Sequence, residues 1–253
     1  MSLGRRKVKL EDASRWVFNK MADVYDARPP YPAALVDALA ALAGPPGARV
    51  VDLGAGTGHL ALPLAARGYA VTAIEPAREM LEALRAEAAA RGLTIDARHA
   101  TAEDLPLPAR SADLVVVADA LHFLDAQLAG EAIARVLVRG GALAVVTSWL
   151  GDTPYMRAVE AVIHDSVPRR PRALTGNVVH VSSIVDAPLV DETSFTDETP
   201  IDHATLDRIL RSISFIGPAM HAARFATFRA RVHALSDAPV WARKFTLRAG
   251  RRS

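Results

Sequence analysis

Between Val50 and Thr147, short apolar runs of strand length alternate with longer stretches in which apolar residues return every three or four positions. The runs at 50–53, 70–74, 114–117 and 142–147 are mainly apolar and rich in β-branched residues, the pattern of strands covered on both faces, and 94–98, although it carries Asp96 and Arg98, is read as a further strand. Helical patterns fill the gaps at 60–67, 77–90 and 126–138, stopping at Gly68, before Gly92 and at the Gly140-Gly141 pair. In the second of them Met80, Leu81 and Leu84 make an apolar stripe, and Glu79, Glu82, Arg85 and Glu87 suit a wet face. Strand and helix in strict alternation predict an α/β fold, a parallel sheet with helices on both sides.

Beyond the fifth strand the rhythm changes. Thr153 and Pro154 read as an N-cap and first helical residue, with Tyr155, Met156, Val159 and Ile163 following on one face. Residues 168–172 read as a loop, and 178–188 fit a short strand or a short helix equally. Further on, the pattern predicts a strand at 195–201, helices at 204–211 and 219–235, and a closing strand at 241–248 with alternating large side chains.

The turn after the first strand carries the most chemistry. In Val50-Val51-Asp52-Leu53-Gly54-Ala55-Gly56-Thr57-Gly58-His59-Leu60 an apolar run reaches an acid, glycines alternate, and a helical pattern begins. Glycines there let the turn take positive φ and let a ligand touch bare backbone. A dinucleotide fingerprint needs its third glycine where His59 stands, and a phosphate-binding loop needs a closing Lys-Ser/Thr that is absent. The acids expected around the turn, Asp52, Glu75, Glu103 and Asp119, repel a pyrophosphate and attract a cation, so a sulfonium suits the pocket better. The stretch V-D-L-G-A-G-T-G-x-L resembles the glycine-rich signature of class I S-adenosylmethionine-dependent methyltransferases. That resemblance implies a Rossmann-like, doubly wound seven-stranded sheet, mostly parallel with an antiparallel final strand, and a helical lid.

Composition fits one domain spanning 1–253, with 1–35 as lid, 36–150 as cofactor-binding core and 151–253 as substrate-side helices and closing strands. The chain has 253 residues, 51% of them hydrophobic, enough for a full core. The formal charge is +2, and the basic clusters Arg5-Arg6-Lys7, Arg169-Arg170 with Arg172, and Arg251-Arg252 read as solvated tails and a loop, so nucleic acid is not an expected partner. Without cysteine there is neither a disulfide nor a thiolate metal site, and no metal is expected. Neither a secretory signal nor a membrane span is read, so a cytoplasmic enzyme is expected, with its oligomeric state open.

The resemblance also assigns the site. The cofactor, S-adenosylmethionine giving S-adenosylhomocysteine, is expected on Asp52, Gly54, Ala55, Gly56 and Gly58, with Glu75 and Pro76 after the second strand, Glu75 accepting the ribose hydroxyls. Ala102 and Glu103 are expected at the adenine, where Asp104 could share the work, and Asp119 and Ala120 along the methionine moiety. His122 is a candidate general base or else a packing residue. The segment from Trp16 to Pro32, containing Y-D-x-R-P-x-Y-P, together with A-L-H-F-L-D after the fourth strand, resembles small-molecule methyltransferases near trans-aconitate methyltransferase. This implies a leading helix folded over the cofactor, with Tyr25 and Arg28 near the methionine end. Weaker substrate candidates are Trp149, Tyr155, Arg211, Ser212, Ser214, Phe215 and His221, and the Arg169–Arg172 cluster raises an acidic acceptor. The expected activity is methyl transfer to an oxygen or nitrogen of a small metabolite. Two alternatives stay open: a non-catalytic S-adenosylmethionine-binding partner or sensor, and an NAD-dependent oxidoreductase.

Overall fold

A computed structural model describes residues 17–167 and 174–253. Trp16, the basic residues at 5–7 and the 169–172 cluster fall outside the described residues.

The order of elements is a 3₁₀ turn at Val17–Met21, α1 (Ala22–Tyr25), α2 (Ala33–Ala43), β1 (Arg49–Leu53), α3 (Ala61–Ala66), β2 (Ala70–Ile74), α4 (Arg78–Ala90), β3 (Asp96–Arg98) and β4 (Ala112–Ala118). A 3₁₀ turn at Leu121–Phe123 leads into α5 (Ala126–Val136), β5 (Leu137–Leu150), α6 (Pro154–Ser166), α7 (Leu174–Val185), β6 (Asp191–Pro200), α8 (His203–Arg211), α9 (Ala222–His233) and β7 (Val240–Arg251). The seven strands form one sheet in the order β3-β2-β1-β4-β5-β7-β6. β1 to β5 pair in parallel, and β7 runs antiparallel to both β5 and β6. This is the Rossmann-like methyltransferase sheet that the sequence predicts.

Register positions the site. Leu53 lies opposite Ile74 on one side and Val117 on the other, so Gly54, Glu75 and Ala118 emerge side by side at the carboxyl edge. The order of strands reverses between β1 and β4, where open α/β sheets bind ligands.

Alternate strand residues feed the two layers. Leu114 and Val116 point with Val50 and Val71 into a core shared with Leu35, Leu39 and Leu64, and Val115 and Val117 meet Ile133, Val136, Val181 and Val185 on the opposite face. Each such side chain buried in full stabilises the fold by about 1.5–3 kcal/mol. A third core under the substrate side joins Met156, Ile163, Leu206, Phe228 and Trp241.

The structure corrects one expectation, resolves one that was open and adds an element. Gly140-Gly141 does not stop a helix: α5 ends at Val136, and the pair lies within β5 in a bulge where Ala112 faces Leu137 but Leu114 already faces Ala142. The bulge is pinned by Gly140 N–H donating to the Arg252 carbonyl at 2.9 Å and by Arg252 N–H donating back to Gly141. The ambiguous stretch is helical to Val185, because α7 lies against α5 where Gly130 leaves room: a Cβ there would sit 3.0 Å from the Cβ of Ile184. Finally α2, unread in the sequence, buries Leu35, Val36, Leu39 and Ala43 on one face. Among the described residues no helix is long and apolar enough to cross a membrane.

Candidate functional site

The turn after β1 is shaped by what lies against it. Gly54 has φ +74° and a Cβ there would come within 2.7 Å of the Ala120 Cβ, so the turn after β1 packs closely on the side chain that follows β4. Gly54 and Ala55 amides donate to the Ile74 carbonyl at 2.9 and 3.2 Å, folding the turn over the end of β2. Gly56 N–H then donates to Glu75 Oε2 at 2.8 Å, and Ala77 N–H to Glu75 Oε1 at 2.7 Å. Glu75 is thus fixed from both sides, with a lone pair still available on each oxygen.

Burial governs the acids. Glu75 and Asp52 are 5% and 2% exposed, and desolvation pushes each carboxyl up to about 7, with the Glu75 charge adding to the rise at Asp52. Backbone amides of Gly56 and Ala77 on Glu75, and of Ala61 on Asp52, oppose the rise without cancelling it. Asp119 sits at the end of β4 with φ +51°, where short acids are enriched among non-glycine residues. Its carboxylate accepts Ser148 N–H at 2.7 Å and Ser148 Oγ–H at 2.5 Å, and Tyr31 O–H at 3.4 Å.

The N-terminal segment closes over this edge. The Tyr25 ring lies under the Arg28 guanidinium, 4.3 Å from its centroid, and edge-on to His59. Arg28 donates through Nε to Ser212 Oγ at 2.8 Å, through Nη2 to the Ser212 carbonyl at 2.6 Å and through Nη1 to Tyr25 Oη at 3.2 Å. His59 Nε2 lies 3.3 Å from the Arg28 carbonyl, which only accepts, so Nε2 carries the proton and Nδ1 is left to accept from Thr57 Oγ. Burial lowers His59 to about 4, which keeps the ring neutral. From β7, Arg243 donates to the Pro29 and Pro30 carbonyls at 2.8 and 2.6 Å and pairs with Asp197, tying the same segment to the sheet.

Together these elements enclose a cavity of about 820 Å³. That lies in the upper part of the roughly 300–1,000 Å³ range of ligand sites. Tyr25, Arg28, Asp52, Gly54, Ala55, Gly56, Glu75, Pro76, Ala102, Glu103, Asp119, Ala120 and His122 all line it. Gly58 is the correction: it is off the wall, and its φ of +92° together with the 3.0 Å approach a Cβ would make to Leu62 and Leu84 calls for glycine on grounds of turn geometry and packing. Asp104 is exposed and off the wall, whereas Glu103 lines it and accepts the Asp125 amide at 2.9 Å. His122 lies on the 3₁₀ turn after β4 with its ring 4.0 Å from that of Phe123.

Of the weaker candidates, Trp149, Ser214 and Phe215 reach the wall. Tyr155 packs against the third core, Arg211 stacks on Phe225 at 4.2 Å, and His221 caps α9 by accepting Arg224 N–H. Sequence reasoning missed Tyr31, His59, Ser148, Trp241 and Arg243, all on the wall. Tyr31 and His59 stand inside motifs already quoted, so their signal was present; the other three come from distant strands and carry no local pattern.

Comparison with known proteins agrees with the geometry. The methyltransferase-domain family matches residues 51–145. An uncharacterised methyltransferase of Mycobacterium tuberculosis is 41% identical over 147 residues, covering 58% of this chain and 55% of that protein. An uncharacterised protein of Mycobacterium bovis is 32% identical over 147 residues, covering 55% of this chain and 53% of its own length. The chain therefore spans about half the length of these relatives. A candidate type II methyltransferase from Anaeromyxobacter dehalogenans superposes with a TM-score of 0.64 at 22% identity, covering 88% of this chain and 97% of its own. Geranyl diphosphate C-methyltransferase from Streptomyces coelicolor A3(2), in complex with Mg²⁺, geranyl diphosphate and S-adenosylhomocysteine, superposes with a TM-score of 0.52 at 12% identity. It covers 87% of this chain and 79% of its own. These last two likenesses show the fold.

Proposed function

We propose that this chain, which carries a class I methyltransferase domain over residues 51–145, binds S-adenosylmethionine and methylates an oxygen or nitrogen of a small molecule. The observation that carries the reading is the fixed Glu75 carboxylate, held by Gly56 and Ala77 amides on the wall of a cavity that Asp52, Glu103 and Asp119 also line. Such a donor-poor, acid-rich edge suits ribose hydroxyls and a cation, and opposes a pyrophosphate. This disfavours the nicotinamide alternative.

When bound, the cofactor supplies an electrophilic methyl group on a sulfonium. The chain's own residues would then divide the work. Glu75 takes the ribose hydroxyls, Ala102 and Glu103 face the adenine, and Asp119, held by Ser148, lies along the methionine moiety. Arg28, stacked on Tyr25, offers its charge to the carboxylate. The N-terminal segment, strapped by Arg243, keeps water out of the cleft. His122 holds or takes the acceptor's proton, or shapes the wall while proximity does the chemistry. In this division 17–35 is lid, 36–150 binds cofactor and the described residues from 151 onward face the acceptor.

Calorimetric titration with S-adenosylmethionine and S-adenosylhomocysteine, paired with transfer of labelled methyl to a metabolite mixture, tests the reading. Binding of neither sinks it; binding without transfer to any acceptor favours the partner or sensor alternative.

A further inference from the structure

The cavity has two unlike halves. The glycine turn and the acids lie at the ends of β1, β2 and β4, and the other half is built from the ends of β5 and β7, α8 and the connection from α8 to α9. That second half is lined by Leu150, Val167, Ile209, Ile213, Phe215 and Trp241. Ser214, from the same connection, adds a hydroxyl, and Trp149, 50% exposed, stands at the rim.

Charge is committed elsewhere. Of the described residues that line the cavity, the arginines are Arg28 and Arg243. Arg243 gives Nε and one Nη2 hydrogen to Asp197, its other Nη2 hydrogen to the Pro30 carbonyl and one Nη1 hydrogen to the Pro29 carbonyl, so its charge is paired within the protein. Arg28 gives one N–H each from Nε, Nη2 and Nη1 to Ser212 and Tyr25, and its two remaining N–H groups are those the methyltransferase reading assigns to the cofactor's carboxylate. Among the described residues no lysine lines the wall, and His59 is held neutral by burial. Among the described residues, an anionic ligand entering the second half would lose its hydration and meet no cation that is not already paired or assigned to the cofactor, whereas an apolar body would displace water from aromatic and aliphatic surface.

We infer that the acceptor is an uncharged small molecule with an apolar, ring- or chain-shaped body and one polar group to be methylated, and that its phosphorylated or carboxylated counterparts are rejected. This rests on the methyltransferase reading of the first half. The polar group is placed toward His122 and the cofactor half, because among the described residues the second half offers it little beyond the Ser214 hydroxyl and the indole N–H groups of Trp149 and Trp241.

Matched pairs of probes test the assignment: 1-naphthol against 1-naphthyl phosphate, and geraniol against geranyl diphosphate, each titrated calorimetrically into protein saturated with S-adenosylhomocysteine. The uncharged member of each pair is expected to bind at least roughly a hundredfold more tightly, since a charge stripped of water without a partner is strongly disfavoured. Ser214→Lys, which places an ammonium on the wall, is expected to narrow or invert that preference; should it not fold, the wild-type comparison decides alone. Equal or tighter binding of the anionic member overturns the assignment, and so does failure of both uncharged probes on a protein that does bind S-adenosylhomocysteine. If S-adenosylhomocysteine itself does not bind, the methyltransferase reading falls first and takes this one with it.

Discussion

The guanidinium of Arg28 meets the hydroxyl of Ser212 at 2.8 Å, joining residues 184 positions apart. One lies just past α1 and the other caps the end of α8, so the contact ties the N-terminal segment to α8. A second tie runs in parallel, from Arg208 of α8 to Asp26 at 2.6 Å. Arg28 therefore holds the lid and faces the cofactor half at once.

Arg28→Ala is expected to weaken S-adenosylmethionine by roughly tenfold to a hundredfold, the loss typical of a hydrogen bond to a charged group. Arg28→Lys should restore little, because an ammonium cannot reproduce the planar fork that reaches Ser212 through two nitrogens. Ser212→Ala should act mainly on stability, by about 0.5–1.5 kcal/mol. Calorimetry and thermal melts separate these effects, and wild-type affinity in a folded Arg28→Ala protein would remove the residue from the site.

Glu75→Ala should weaken S-adenosylmethionine and S-adenosylhomocysteine alike, by roughly tenfold to a hundredfold, since the two share a ribose. It also strips the Gly56 and Ala77 amides of their acceptor, so part of the loss comes from a looser turn. Glu75→Gln keeps one acceptor oxygen and should fall between. Titration of both ligands into both variants checks the order.

Such residues show where the sequence is readable. β2 is found at its true bounds because a buried parallel strand is apolar throughout and ends at an acid and a proline, Glu75-Pro76. Gly58 is misread because a packing glycine and a ligand-facing glycine look alike in a motif; only the positions of Leu62 and Leu84 tell them apart. The Val-rich α7 defeats local propensity, since its helix is decided by packing on α5 at Gly130. Ser148, Trp241 and Arg243 reach the cavity from β5 and β7, whose pairing is long-range and leaves no spacing to detect.

Binding should depend on pH near neutrality. Asp52 and Glu75 rise from ordinary values of 3.8 and 4.5 to about 7 in the folded protein. The folded state thus holds these protons more tightly than the unfolded one, so the stability they contribute is complete below the ordinary values and is lost as pH rises through about 7. The ligand-free melting temperature should fall from about pH 4 to about pH 7, and Asp52→Asn should flatten that fall. A sulfonium favours the ionised acids, so S-adenosylmethionine affinity should rise over the same window with proton release, and S-adenosylhomocysteine should show a smaller rise. Calorimetry in two buffers of different ionisation enthalpy reads the protons; a flat profile for both ligands would mean the acids do not sense the cofactor.

Gly54→Ala should damage the site more than its size suggests. The new methyl would lie 2.7 Å from the Ala120 Cβ, at a φ of +74° that L side chains rarely adopt. The ends of β1 and β4 must then part, moving Ala120 and the Asp119 beside it. Lost cofactor binding with a retained circular dichroism spectrum is expected; normal binding would show that the two strand ends yield freely.

His122 decides how the proton leaves. It lines the cavity at the 3₁₀ turn after β4, three residues past the Asp119 that faces the methionine end in our reading. As a general base it would give a His122→Ala variant slower by about a hundredfold or more with cofactor affinity nearly intact, since proton transfer typically contributes 10²–10⁴-fold. The wild-type rate should then fall as pH drops through the imidazole's titration, and this limb should vanish in the variant. An acceptor aligned with the methyl group and already acidic needs no base, and in that case turnover survives the substitution while the acidic limb stays unchanged. Reduced cofactor affinity at unchanged turnover would place His122 in the binding wall, where its contact with Phe123 already holds the ring.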